Sequence, residues 1–214
     1  MKNYRLLLAV GVVSFAIGVL GQTSSAPTAV AGPTAQPGVG PTAPKPPDIS
    51  QRKTDQQDRI ANGLDSGQLT AGETRNLETK EAGLNKEENT MRKADDGHLT
   101  SADRQTLDQQ QNKVSGQIYQ DKHNAAKAAQ PGTELNDRRV AQRDRIAQGI
   151  KSGQLTAGET AHIENREVNT NQTEAAMKAA NGGKLTGGDK AVLNHQYNHT
   201  SQTIARDKHN NRVR

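Results

Sequence analysis

The sequence has no cysteine, no tryptophan and one phenylalanine, Phe15, in 214 residues. Without thiols there are no disulfides, thiolate metal sites or cysteine nucleophiles, and no lipid on a processed N-terminal cysteine. Sites that stack sugars or unpaired bases need several exposed rings. Beyond the N-terminal segment only Tyr119 and Tyr197 are aromatic, so such sites are excluded and there is no strong nucleic-acid signature. Hydrophobic residues make up only 31% of the chain, a content that leans toward disorder. Two features oppose that. Net charge is only +5, so self-repulsion is weak. The remainder is rich in Gln, Glu, Lys, Arg and Ala, which helices accept. Helices around a thin core, with modest stability, are expected. There is no Gly-rich phosphate loop and no nucleophile elbow. A thin core does not enclose the desolvated pocket that a catalytic acid requires, so the chain is not expected to be an enzyme.

Long apolar runs are confined to one place. Lys2 and Arg5 precede an uninterrupted stretch of apolar and small residues over 6–21. A basic start before such a run reads as a secretory signal peptide. At 16 residues the run is shorter than the ~20 of a spanning helix, although an uncleaved anchor is the alternative. Ala29-Val30-Ala31 has the small-x-small form of a cleavage site, and a cut nearer Ser25 is a second option. Cleavage after Ala31 removes Lys2 and Arg5 and lowers the net charge to +3. Export to the periplasm or the exterior follows, with membrane contact only through the signal peptide. Residues 32–50 form a linker holding six of the eight prolines. Proline and glycine at that density give an extended, disordered tether.

Beyond the tether the chain repeats itself with a shift of 86 residues and no gap. DRIANGLDSGQLTAGET at 58–74 matches DRIAQGIKSGQLTAGET at 144–160, and DKHN recurs at 121–124 and 207–210. The domains expected are a signal peptide over 1–31, the linker over 32–50, one helical unit over 51–126, a joint over 127–135 and a second unit over 136–214. Each unit contains a half-repeat 30 residues on, so four G-x-L-T-x-x-[ED] turns occur, at 67–73, 97–103, 153–159 and 183–189. Thr followed three residues later by an acid is a capping box, in which the hydroxyl takes one orphan amide and the acid another. The acid also sits at the positive end of the helix dipole. The glycine lets the chain turn, and the leucine before the cap acts as a hydrophobic staple.

The fold class expected is all-α: two tandem copies of a three-helix unit joined by short capped turns. The helices are predicted over 51–62, 71–93, 101–124, 136–148, 157–179 and 187–210. Leu77, Leu84 and Met91 lie seven apart, as do Leu107 and Val114, with Ile118 a turn on. This narrow seam suits antiparallel coiled-coil-like hairpins. In the second unit Thr170 and Thr200 occupy seam positions beside Ile163, Met177, Leu193 and Ile204. Its seam is weaker, with Val168, Val192 and Tyr197 as compensation. Pairs such as Asp55–Arg59 and Glu88–Arg92 read as helix-surface support.

A helix, a loop with Gly, Leu two later and Glu six later, then a helix, resembles half an EF-hand. That family places Gly sixth, an aliphatic eighth and a bidentate acid twelfth. Gly67, Leu69 and Glu73 take those places, as do Gly153, Leu155 and Glu159. The resemblance implies a calcium-type site from Asn62, Ser66, Thr70 and Glu73, with Thr156 and Glu159 in the second unit and Asp96 at a half-repeat. The earlier ligand places depart from it: Leu64, Arg92, Ala94, Gln148, Ile150, Lys178 and Ala180 supply no carboxylate. Any such binding is of a weak divalent or trivalent cation, and no cofactor is expected. The repeat is also similar to that of exported bacterial proteins built on G-x-L-T-x-x-E turns, a resemblance that covers both units and brings no activity with it.

Three further groups are candidates. His195 and His199, at i and i+4, share a helix side, a spacing that clamps zinc or copper; His162 joins them if the helices pack antiparallel. The DKHN copies place Lys and His at helix ends, where cations favour the dipole. Arg206, Lys208, Arg212 and Arg214 form a basic tail suited to a polyanion. The reading is a non-catalytic exported protein with a binding or structural role in the cell envelope, its partner an envelope polymer or a protein. Cation binding and polyanion binding are the alternatives.

Overall fold

The computed structural model describes residues 48–212. The segment expected to be a signal peptide, most of the Pro/Gly linker and Arg214 lie outside the described residues. Six helices follow in order: α1 Ile49–Asp65, α2 Ala71–Ala94, α3 Ser101–His123, α4 Glu134–Lys151, α5 Ala157–Ala180 and α6 Gly187–Lys208. The described residues are all-α, as expected. None of these helices is long and apolar enough to cross a membrane.

The turns form as their spelling predicts. Thr70, Thr100, Thr156 and Thr186 are N-caps, and each makes a complete capping box with Glu73, Asp103, Glu159 and Asp189 respectively. Gly67, Gly97, Gly153 and Gly183 have φ of +70°, +88°, +71° and +87°, a region open to glycine and strained for other residues. Leu69 and Leu155 are fully buried beside these caps and Leu99 nearly so.

The first helix of each unit runs a turn further than predicted, to Asp65 and Lys151. Gly63 and Gly149 sit inside these helices instead of ending them. A methyl group on Gly63 would lie 2.8 Å from Leu69 Cδ1, and one on Gly149 would lie 2.6 Å from Leu155 Cδ1. These glycines are the seats into which the staple leucines press. The Leu69 amide donates to Gly63 O at 2.9 Å, and the Leu155 amide to Gly149 O at 3.0 Å. The nonapeptide at 66–74 and 152–160 is therefore one half of a lock whose other half lies three residues upstream of it.

Within each unit the third helix packs on both others. Leu77, Leu84, Leu107, Val114 and Ile118 join Ile49, Ile60, Leu69 and Leu99 in one buried cluster. Buried glutamines fasten the helices as well. Gln56 donates to Gln111 O at 2.6 Å and Ser115 Oγ at 2.9 Å; Gln142 repeats this on Tyr197 O at 2.7 Å and Ser201 Oγ at 2.8 Å. In the second unit the apolar core is split. Ile146, Ile150, Leu155, Ile163 and Ile204 cluster with Ala61 and Leu64 of the first unit, while Leu135, Leu193 and Tyr197 form a separate patch. Tyr197 fills the seam as expected, whereas Val192 is exposed and does not.

The two units meet like on like. α1 packs on α4 and α2 on α5, while α3 and α6 do not touch each other. α2 and α5 run antiparallel: Gly72 lies opposite Val168, and Arg75 Nη1 donates to Asn165 Oδ1 at 3.3 Å. The pairing of α1 with its counterpart α4, and of α2 antiparallel to its counterpart α5, gives the pair an approximate two-fold relation.

Candidate functional site

The sites anticipated at the turns are occupied by the protein's own donors. Glu73 Oε2 accepts from the Thr70 amide at 2.8 Å and its hydroxyl at 2.7 Å, and Glu73 Oε1 accepts from Asn124 Nδ2 at 2.6 Å. Glu159 repeats the pattern with Thr156 and with Asn210 Nδ2 at 2.7 Å. Asn124 and Asn210 end the two DKHN stretches, so that motif ties the end of the third helix to the start of the second. Burial pushes Glu159 upward; the Thr156 amide and hydroxyl, Asn210 and Arg212 together outweigh it and hold the carboxyl below its usual range. Ser66 Oγ donates to Gly63 O at 3.2 Å and Gln68 Oε1 at 3.1 Å. Asn62 lies in the last turn of α1, and its carbonyl accepts from the Ser66 amide at 3.1 Å.

His195 and His199 are both exposed on α6, and Arg166 sits against His199 Nδ1 at 2.6 Å. His162 lies instead with Arg206, Asp207, Asn210 and Arg212 beside the start of α5. Among the described residues no three His, Asp or Glu side chains are grouped to hold a metal ion. In the basic tail Arg206 pairs with Asp207 at 2.9 Å, Arg212 approaches Glu159 at 3.8 Å, and Lys208 reaches Arg145 O at 3.5 Å.

A second set of residues gave no sign of itself as surface charge. Glu78, Glu81 and Glu88 on α2 are buried, and so are their counterparts Glu164, Glu167 and Glu174 on α5. Glu88, read as helix-surface support, is in fact held inside by two cations: Lys53 at 2.8 Å and Arg92 at 2.8 Å. Burial raises its pKa, and the two cations more than offset that, leaving it lowered. Glu174 is paired in the same way with Arg139 and with Lys178. The signal was present in the repeat. From 75 to 93 the residues identical to their counterparts are Glu78, Glu81, Asn85, Glu88 and Met91. Their spacing of three and four is the rhythm of a buried seam, here written almost wholly in polar residues.

The two units treat this seam differently. In the first, Gln57 Nε2 donates to Glu78 Oε2 at 2.9 Å. Its counterpart is Arg143, which turns away and donates from Nη1 to Ala129 O at 3.2 Å. Glu164 Oε1 and Glu167 Oε1 are left buried with no hydrogen-bond partner, as is Arg143 Nε. Burial, then Glu167 and Glu78, push the Glu164 carboxyl well above its ordinary range against the pull of Arg143. Burial likewise raises Glu167 to about 7 against Arg139 and Arg145. Between these groups is a cavity of about 150 Å³, walled by Leu64, Ile146, Arg139, Arg143, Glu164 and Glu167 and roofed by the joint at 127–129.

No protein family, curated protein or solved structure matches the chain.

Proposed function

We propose that the protein is exported and serves a non-catalytic binding or structural role in the cell envelope, periplasmic or extracellular. The observation that supports this most is the way the body spends its polar groups. Capping boxes, glutamine fasteners and buried ion pairs engage many of the inward ones. α3 and α6 do not touch each other, and they present polar residues such as Gln109, Lys113, His195 and His199 outward. Broad polar helix faces are surfaces for a large partner. The basic start and apolar run at the N-terminus support export.

Two measurements on the full chain test this reading. Fractionation of producing cells, with N-terminal sequencing, should find a protein shortened by about 25–31 residues outside the cytoplasm, the interval between the two cleavage options. Isolated envelope material should retain that mature form. A full-size protein confined to the cytoplasm ends the export half; a mature protein that neither sediments with envelope material nor alters its integrity when deleted ends the envelope role.

A further inference from the structure

The cavity under the joint is an inequality between two otherwise matched halves, and that inequality points to a ligand. In the first unit the protein itself supplies a donor to one oxygen of the seam acid, since Gln57 reaches Glu78 Oε2. In the second the equivalent side chain has become a guanidinium that bonds the roof at Ala129 O instead. What remains is a cavity of about 150 Å³. Glu164, 1% exposed, presents an unpartnered Oε1 there, and so does Glu167. The roof is pinned: the Ala128 amide donates to Gly67 O at 3.1 Å, so the joint is held over the opening by the first unit's turn.

A buried carboxyl oxygen without a donor is costly, and a site built to hydrogen-bond one group discriminates strongly against molecules lacking it. The charges are also sorted. The α5 wall carries Glu164 and Glu167. The α4 wall and roof carry Arg143, whose Nε has no hydrogen-bond partner and lies 3.8 Å from its nearest paired carboxylate on Asp144, and Lys127. A bare cation would meet the guanidinium, and a bare anion would bring no donor to Glu164 Oε1 and Glu167 Oε1. We propose that this cavity binds a small zwitterion of the free amino-acid class. Its ammonium lies on Glu164 Oε1 and Glu167 Oε1, its carboxylate faces Arg143 and Lys127, and its side chain rests on Leu64 and Ile146. An ammonium at that position favours the ionised form of both acids. This goes beyond the envelope role, because the outer helix faces take no part in it.

The test uses the purified mature protein and thermal melts with the free amino acids, against ethylamine and acetate as one-ended controls. Some amino acids should raise Tm by about 5 °C or more at a hundred times Kd, and calorimetry should give one site per chain. Arg143→Gln installs the side chain that the first unit carries at this place, so the fold tolerates it; it should abolish the shift with helicity unchanged. Ala71 also lines the cavity; Ala71→Leu, which fills it without altering charge, should do the same and serves if the first variant fails to fold. The proposal is overturned if no amino acid moves Tm at 10 mM, which would mean that the cavity holds water alone. Equal shifts from ethylamine or acetate, or unaltered binding by both variants, overturn it as well.

Discussion

Asn124 Nδ2 lies 2.6 Å from Glu73 Oε1, joining the end of the third helix to the start of the second across 51 residues. The same bond recurs at 2.7 Å between Asn210 and Glu159. Through it a capping carboxylate becomes a clasp, with both oxygens engaged by the protein. Asn124→Ala and Asn210→Ala should each lower stability by about 1 kcal/mol, the worth of an ordinary net hydrogen bond, because solvent reaches both asparagines and weakens the charge-assisted bond. Thermal melts should show a fall of roughly 2–4 °C for each. Millimolar calcium should leave the wild-type midpoint unchanged; a rise would mean that the ion competes with the asparagine.

Gly63→Ala and Gly149→Ala reverse the ordinary rule for helix interiors. Alanine normally gains about 0.5–1 kcal/mol over glycine there. Here its methyl group would stand 2.8 Å and 2.6 Å from the leucines beneath. Overpacking of that kind destabilises by about 1–3 kcal/mol. Chemical denaturation should show both variants less stable than wild type. A stabilised variant would mean that the leucine is free to move aside.

The buried acids set a pH dependence whose sign is fixed. Glu167 titrates at about 7 in the folded state against 4.5 as the reference. The folded form thus holds a proton that the unfolded chain releases, and stability falls as pH rises from about 4.5 through 7. Glu167 alone amounts to about 3 kcal/mol over that window. Glu88 and Glu159, held low, add stability that disappears only as pH drops below the ordinary carboxylate range. Denaturation midpoints should therefore peak near pH 5 and decline toward pH 8. Glu167→Gln should flatten the decline.

Lys53 and Arg139 are counterparts with unequal burdens. Lys53 shares Glu88 with Arg92, whereas Arg139 binds Glu174, the Tyr197 hydroxyl at 2.6 Å and Asn136 at 3.0 Å. Removing one partner of a buried ion pair costs about 3–5 kcal/mol. Arg139→Met should approach that range and Lys53→Met should cost less: Lys178 remains on Glu174 as Arg92 remains on Glu88, so the difference lies in the lost bonds to Tyr197 and Asn136. Equal losses in urea titrations would show that Tyr197 and Asn136 contribute nothing to the difference.

The turns were legible because their signals are local: a threonine, an acid three later and a glycine three before act within one stretch of chain. Hence Thr70, Thr100, Thr156 and Thr186 were placed as caps from sequence. Gly63 and Gly149 were not, since their meaning depends on a leucine that returns after the turn, and glycine in a helix reads first as an end. The seam acids were the least legible. Glutamate favours helices and normally faces water, so Glu78, Glu81 and Glu88 looked like surface until a partner helix covered them. Their exact recurrence at Glu164, Glu167 and Glu174, amid divergent neighbours such as Thr79 and Asn165, was the available clue. The cavity depends on which way Arg143 turns, and no pattern of letters encodes that.

The like-on-like pairing of α1 with α4 and α2 with α5 also limits growth. In a solenoid each repeat offers its neighbour a fresh surface, so copies accumulate in a row. Here each unit presents the same face that it receives, and the two faces consume one another. A third copy added by further duplication would find no matching surface on either of the first two. It would have to remain separate on its own tether or seek the vacant face of a third unit in another chain. Lengthening this gene by whole units would thus yield linked pairs rather than a longer rod.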